Sequence, residues 1–584
     1  MVHRTLRNVI ASSIGVGVLV VGAGAFGSSA AAAVDPVDLK NRVTVDGIMT
    51  HLAALQAIAD ENDGNRAIGT PGYEASAEYI EGVLAAAGYE TTRQPFQTSV
   101  QTIFDYSLAV TADGDALPVV GIPMEFTGST PAEGLTDLPA IAPAAVNGCS
   151  ADDWAGIDAS GSVAIVSRGV CPFADKAIAA GAAGASAILI YNNTEGDLSG
   201  TLGATTVGAV PSVGVTAAEG ASILTALAAG PVTVSLQLDQ ETKTVDTFNV
   251  LAETSTGRDD NTVMVGAHLD SVPAGPGIND NGSGSATILE TAVQLAASGP
   301  LNNQVRFAWW GAEEVGLVGS TFYVDDLVEN NPDELDEIAT YLNFDMVASP
   351  NYVISVYDAD QSTFEAPVEV PEGSIATEAA FTDYFDASSQ PWIDTAFDGR
   401  SDYEAFIAND IPASGLFTGA DEIKTPEQVA LFGGIAGEAQ DQNYHQAGDN
   451  LENINTEALG IMAGAIGSVV GSLANDTSAI NGVVPPVEPT PVPTPTPTST
   501  PVPTGAPVPT ASPTAVPAPT SSATAAPVPP ADPGSGSGGS LANTGSADVI
   551  AAALPFGVLL FSVGLAVALL ASRRRARPTG GSGD

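Results

Sequence analysis

Five side chains of metal-ligand type stand at the ends of apolar runs or in glycine-bearing loops. The run 263–267 leads into His268-Leu269-Asp270-Ser271, and the run 305–310 leads into Gly311-Ala312-Glu313-Glu314. The run 341–344 passes directly into Asp345. A loop, Gly277-Ile278-Asn279-Asp280-Asn281-Gly282-Ser283-Gly284, supplies Asp280 just ahead of a helical stretch, and Tyr444-His445 lies in a polar loop farther on. The chain has four histidines. His3 belongs to the N-terminal leader and His51 sits beside an apolar helical face, where a lone histidine is structural. His268 and His445 remain, both in acidic, glycine-containing loops. Two imidazoles with Asp280, Glu314 and Asp345 form a donor set that suits zinc. Sharing one carboxylate between two ions gives each a histidine, a second carboxylate and the bridge, and leaves a position for water. Scattered surface acids would not fall at three consecutive run ends with both histidines close by.

These residues need a scaffold that gathers distant segments. The apolar runs read as buried strands, separated by helical stretches such as 286–297, which implies a mostly parallel sheet with helices on both faces. Open sheets of this kind form their sites beyond the carboxyl ends of the strands. Upstream, residues 45–59 put Ile48, Leu52, Leu55 and Ile58 on one helical face, and a second helix is expected over 74–87. From 108 the texture changes: β-rich runs at 162–167 and 187–191 alternate with Ala/Gly-rich helical stretches. Cys149 and Cys171 are the chain's two cysteines. In an exported protein such a pair forms a disulfide, and a loop this short should gain about 3 kcal/mol from closure.

The 584 residues leave room for two or more packed domains. A net charge of −51, from 68 acidic and 17 basic residues, excludes nucleic acid as a partner. Residues 1–33 read as a secretory signal: His3, Arg4 and Arg7, an apolar run, then small residues up to Ala33. Residues 484–540 are rich in Pro, Thr and Ala, form an extended linker and build no core. Leu541-Ala542-Asn543-Thr544-Gly545 follows, then an apolar span at 549–571 long enough to cross a bilayer, and Arg573, Arg574, Arg575 and Arg577. This order resembles a sortase sorting signal, with Ala542 where the pattern usually has Pro. The resemblance implies transient membrane insertion of the tail, cleavage between Thr544 and Gly545, and attachment to peptidoglycan. Export to the cell surface is expected, with membrane anchoring or release as alternatives.

The run Arg168-Gly169-Val170-Cys171-Pro172-Phe173, then Lys176, the stretch 181–185 and Ile188-Leu189-Ile190-Tyr191-Asn192-Asn193 resemble the protease-associated domain. That domain shapes access to a neighbouring site or acts as a spacer. The residues 266–284, Phe307-Ala308-Trp309-Trp310-Gly311-Ala312-Glu313-Glu314, Tyr341-Leu342-Asn343-Phe344-Asp345-Met346, Asp398-Gly399-Arg400-Ser401-Asp402, Gly415-Leu416-Phe417 and Tyr444-His445 look like the secreted bacterial di-zinc leucyl aminopeptidases. The resemblance spans about 45–473, interrupted by the insert.

It implies a three-layer α/β/α zinc-exopeptidase fold with a mixed, mostly parallel sheet. The peptidase parts would be 34–107 and 241–480, the β-rich insert 108–240, and the sorting segment 541–577. It also implies two Zn²⁺ on His268, Asp280, Glu314, Asp345 and His445, with Asp280 bridging; calcium stays open. Glu313 would be the general base and Tyr444 a donor to the oxyanion. Asp270 would accept the second ring N–H of His268. Met346 and Phe417 would line the pocket for the first side chain, and the Arg400 carbonyl would hold the substrate's free amine. The implied reaction is release of N-terminal, Leu-like residues from peptides by metal-activated water. The alternatives are a carboxypeptidase or deacylase of the same fold, or an inactive wall-displayed binding protein. The distance from Asp345 to His445 is too short for the dimerisation insert of the deacylases. One departure stands out: close relatives tie the Tyr-His loop with a disulfide, whereas here the flanking residues are Asn443 and Gly448, so a more mobile loop is expected.

Overall fold

Successive side chains of a strand face opposite ways, and the central strands use both faces. In Arg258–His268, Val263 and Val265 enter one core and Met264 the other. Phe307 and Trp309 of Asn303–Trp310 join the first core, while Ala308 and Trp310 join the second. Leu342 and Phe344 of Ile338–Phe344 split from Tyr341 in the same way. Strands apolar on both sides need cover on both sides. The first core is closed by the helices Val45–Glu61, Pro71–Ala87, Gly282–Ala296, Ser374–Ser388 and Thr456–Leu473. The second is closed by Val318–Asn330 and Glu404–Ile407.

This computed structural model describes residues 34–485 apart from 195, 204 and 205. The leader, most of the Pro-rich linker and the sorting segment with Leu541, Thr544 and Gly545 lie outside the described residues. Across the sheet the strands run Ile393–Thr395, Ser355–Tyr357, Ala413–Phe417, Ile338–Phe344, Arg258–His268, Asn303–Trp310 and Val232–Glu253. The Arg258–His268 strand pairs in parallel with both neighbours, and antiparallel pairs occur where Ser355–Tyr357 meets Ala413–Phe417 and where Asn303–Trp310 meets Val232–Glu253. The sheet is therefore mixed and mostly parallel, the expected α/β/α class. Among the described residues, one helix, Thr456–Leu473, is long and apolar enough to cross a membrane, and 67% of it is buried in this body.

Two local expectations shift. The second helix starts at Pro71 rather than 74, because Thr70 accepts the Tyr73 N–H and Pro71 occupies the first turn. The insert has no break at 108 or 240. Instead, Thr91–Ala112 and Val232–Glu253 form one long antiparallel ribbon, paired from Thr91 with Ala252 to Ala112 with Val232. The second of these strands joins Asn303–Trp310 near one end and Leu135–Ile141 near the other, so it belongs to both sheets. Beyond the ribbon, Leu135–Ile141, Val163–Ser167, Ala187–Tyr191 and Ser212–Val215 pair in parallel order. Helices Phe173–Ala182 and Ala217–Ala229 complete this unit.

Cys149 and Cys171 are bonded, 22 residues apart. Beneath them Lys176, fully buried, donates to the carbonyls of Asn147 and Gly169 at 2.7 and 2.8 Å. The ammonium thus grips the chain beside each cysteine. Replacing both cysteines with serine should destabilise the insert by about 3 kcal/mol. The cleft lined by residues from 280–445 should keep its shape, because no described residue of the insert lines it. Thermal unfolding and limited proteolysis check this; an unmoved transition would show that the bond adds nothing.

Candidate active site

The strand ends converge as the topology requires. His268 closes its strand, Glu313 and Glu314 follow Trp310, and Asp345 follows Phe344. The Asp280 loop enters from the helix start at Gly282, and Tyr444-His445 arrives on a separate loop. The Asp280 carboxylate stands between the two histidines. Its Oδ1 is 3.2 Å from His268 Nε2, and its Oδ2 is 3.2 Å from His445 Nε2. Each ring has a further carboxylate: Asp345 Oδ1 lies 3.2 Å from His268 Nε2, and Glu314 Oε2 lies 2.9 Å from His445 Nε2. Glu313 is set back, 3.8 Å from His268 Nε2.

The donor chemistry fits cations. Glu314 Oε1 is buried with no hydrogen-bond donor, and the buried Asp280 Oδ2 and Asp345 Oδ1 each meet a histidine nitrogen at 3.2 Å and no other donor. Buried carboxylate oxygens are costly unless paired, hydrogen-bonded or bound to metal. The charges respond to this crowding. Burial disfavours charging His268, but Glu313, Asp345 and Asp280 outweigh it and raise its pKa well above the ordinary value. Burial likewise opposes charge on His445, whose bonds to Asp280 and Glu314 push it up to about 10. Burial, reinforced by Asp280, lifts Glu314 to about 7. Burial also drives Glu313 well above the carboxylate range; His268 opposes this, and Asp345 and Asp402 add to it.

Supporting contacts orient the set. His268 Nδ1 lies 3.0 Å from the main-chain oxygen of Asp270, whereas the Asp270 carboxylate is 3.8 Å away. That carboxylate instead accepts the N–H groups of Glu313 and Glu314, each at 3.3 Å. The expected Asp270–His268 contact is therefore made by the main chain, and the side chain holds the turn that carries the two glutamates. Ser401 donates to Asp345 Oδ2 at 2.7 Å and accepts from Asn343 at 2.8 Å. Ala312, Met346 and His445 all adopt left-handed φ, of 63°, 53° and 56°. Such strain in non-glycine residues gathers where side chains must be aimed. Met346, Arg400, Phe417 and Tyr444 line one cleft with Asp280, Glu313, Glu314, Asp345 and His445. Tyr444 stacks on His445 with ring centres 3.9 Å apart, and burial next to Asp280 and Glu314 keeps its phenol protonated well above the usual range.

The structure separates His51 from this group: its Nδ1 meets the Tyr79 hydroxyl at 2.8 Å, and its Nε2 is 3.4 Å from Glu290. Asn443 and Gly448 do lie against each other, since a Cβ on Gly448 would come within 2.1 Å of Asn443 Oδ1. Asn443 donates through its side chain to Asn453 Oδ1 at 2.7 Å and through its main chain to Asp441 Oδ1 at 2.8 Å.

Three further residues support the site without having stood out in the sequence. Arg66, fully buried, donates to the carbonyls of Leu269, Pro276 and Gly277, pinning the chain between His268 and Asp280. Asp449 accepts the Asp280 N–H at 2.9 Å. Asp402 is buried with no donor on either oxygen, and burial raises it to about 7. Asp402 closes the stretch that begins at Asp398, and Asp449 lies four residues past His445; Arg66 has no sequence mark.

The chain is similar to known proteins over most of its length. The profile of peptidase family M28 matches residues 249–470, and the PA domain matches 137–223. A protein named as a probable lipoprotein aminopeptidase of Mycobacterium tuberculosis is 46% identical over 459 residues, covering 78% of this chain and 89% of the relative. Leucine aminopeptidase 2 of Trichophyton rubrum is 41% identical over 456 residues, with coverage of 78% and 89%. The solved aminopeptidase of Aneurinibacillus sp. strain AM-1 matches with a TM-score of 0.60 at 27% identity, covering 78% of this chain and 98% of that one. A zinc aminopeptidase of Bacillus subtilis gives 0.51 at 25% identity, with coverage of 75% and 98%.

Proposed function

The chain belongs to peptidase family M28 and is a zinc-dependent metallo-aminopeptidase, and we propose that it uses two zinc ions to release large hydrophobic, Leu-like residues from peptide N-termini. One observation carries the two-ion reading: the oxygens of Asp280 face different histidines, each with a carboxylate of its own. His268 and Asp345 would hold one ion, His445 and Glu314 the other, with Asp280 shared. Bound zinc supplies Lewis acidity, which makes water a nucleophile near neutral pH and polarises the scissile carbonyl.

The chain's own groups do the rest. Glu313 accepts the proton of the attacking water and delivers it to the departing amine. The Tyr444 hydroxyl donates to the carbonyl oxygen as negative charge grows there. The Arg400 carbonyl and the acidic cluster attract the free ammonium group of the substrate, which restricts cutting to the first residue. Met346 and Phe417 give the first side chain an apolar wall. A panel of aminoacyl-anilides should show Leu and Met released about tenfold or more faster than Gly or Asp, as expected for burying several methylene groups. Chelation should abolish turnover and zinc should restore it. Release from C-termini, or a flat profile across the panel, would overturn this reading.

The function also has a place. The leader at 1–33 and the order Leu541–Gly545, apolar span and Arg cluster support export and attachment of Thr544 to peptidoglycan by a sortase. Muralytic digestion should release the enzyme with peptidoglycan fragments joined to Thr544. Release of full-length protein by detergent alone would show a membrane anchor instead.

A further inference from the structure

The segment that carries His445 and the loop that carries Asp280 are joined by a buried polar net, whose role here rests on the two-zinc reading. Asp449 is 2% exposed. Its Oδ1 accepts the Asn279 N–H at 2.8 Å, and its Oδ2 accepts the Asp280 N–H at 2.9 Å. Its main-chain carbonyl accepts the Ile278 N–H at 3.0 Å. Asn453 donates to Asp449 Oδ1 at 3.1 Å and to the two oxygens of Asp441 at 3.0 and 2.9 Å. Asp441 Oδ2 accepts the Asn279 side-chain amide at 2.7 Å. Asn279, Asp441, Asp449 and Asn453 are all buried.

Apolar residues could fill this space at less desolvation cost. A carboxylate here does something they cannot: it takes the main-chain N–H of Asp280 itself. Charge-assisted bonds of this kind are short and directional. They fix the peptide on which the shared carboxylate hangs. The same side chain stands on the stretch of chain that comes after His445, so the two loops hold each other in register. We propose that Asp449 is a positioning residue. By gripping the Asn279 and Asp280 amides it fixes the Asp280 carboxylate between His268 and His445, and with Asn453 and Asp441 it makes both zinc half-sites one unit.

The test uses the full chain with Asp449→Asn and, separately, Asn453→Ala. In Asp449→Asn one of the two accepting oxygens becomes an NH₂ donor facing a main-chain N–H, whereas Asn453→Ala leaves the Asp449 carboxylate in place but removes a donor that orients it. In the metal-free protein, hydrogen–deuterium exchange over 278–284 should quicken about tenfold or more in Asp449→Asn, the effect of losing a charge-assisted hydrogen bond. Asn453→Ala should show a smaller increase, and exchange over 258–266 should stay unchanged in both. Zinc titrated against a competing chelator should bind about 10–100-fold more weakly at one ion or both, as for other partners that orient metal ligands. Excess zinc should then restore turnover. Unchanged exchange over 278–284 overturns the proposal, and so does faster exchange with unaltered zinc affinity. If Asp449→Asn does not fold, the same two readings on Asn453→Ala decide it. Fewer than two zinc ions on the unaltered chain would overturn the two-ion reading separately, since the exchange measurement needs no metal.

Discussion

Glu313→Gln should retain about two zinc ions and lose turnover by roughly 10²–10⁴-fold or more, the range for removing a general base. Glu313 and its neighbour Glu314 have different surroundings, and the substitution exploits the difference. Glu314 approaches His445 Nε2 to 2.9 Å and has a buried oxygen without a donor, whereas Glu313 stays 3.8 Å from His268 Nε2. The amide of Gln keeps the shape of Glu313 but cannot take a proton from water. KM should change far less than kcat, because binding rests on the metals, the pocket wall and the amine contacts. Glu314→Ala should lower zinc content and turnover together. Mass spectrometry of bound metal beside steady-state kinetics reads both. Zinc loss in Glu313→Gln, or near-normal turnover, would reverse the division of labour between these residues.

The parts of this enzyme that sequence made legible are those written as contrast along the chain. Apolar runs at 263–267, 305–310 and 341–344 stand out because both faces of those strands are buried, and the polar residues closing them stand out against that background. His268, Glu313, Glu314 and Asp345 could be picked out this way, Asp280 and His445 from their glycine-containing loops, and the separate role of Glu313 only from the family resemblance. The structure gathers them at one site, with Asp280, Glu313, Glu314, Asp345 and His445 lining the cleft and His268 buried against Asp280 and Asp345. The ribbon Thr91–Ala112 was not legible, since much of it is exposed and its pairing partner lies more than a hundred residues away. The change of texture near 108 marks where the insert's own core begins around Val110, within a strand that runs on through it.

Arg66 and Asp449 escape a reading of residue types for a different reason. They act on main-chain groups: Arg66 on carbonyls at 269, 276 and 277, and Asp449 on amides at 279 and 280. A main-chain partner leaves no mark in residue type at the receiving position. The same holds for His268, whose ring nitrogen is met by the carbonyl of Asp270 while the Asp270 side chain turns to the Glu313 and Glu314 amides. The residue could be predicted but not which of its atoms would make the contact.

Asp280→Ala should remove more metal than loss of any other single ligand. Asp280 is the one carboxylate whose two oxygens face both histidines, at 3.2 Å each. On the proposed two-zinc reading, His445→Ala would strip a ligand from one ion and leave His268, Asp345 and Asp280 for the other. On the same reading Asp280→Ala would strip a ligand from both ions, and it leaves the two rings without the carboxylate between them. Its effect on zinc affinity should exceed the roughly 10–100-fold typical of residues that only orient ligands. Turnover should fall to background, because neither ion keeps its place.

The fold should survive, since the main chain at 280 is still held by Asp449 and the Asn281 side chain still donates to the Phe344 carbonyl. Stability should show the loss through linkage rather than collapse. At about 1,000 times the dissociation constant, each bound zinc adds roughly 4 kcal/mol to the unaltered enzyme over the metal-free form, and the variant should gain almost none of it. Melting curves with and without zinc, circular dichroism of the metal-free forms and metal content together decide the matter. Two retained ions in Asp280→Ala, or a zinc loss no greater than in His445→Ala, would mean that Asp280 is not the shared ligand.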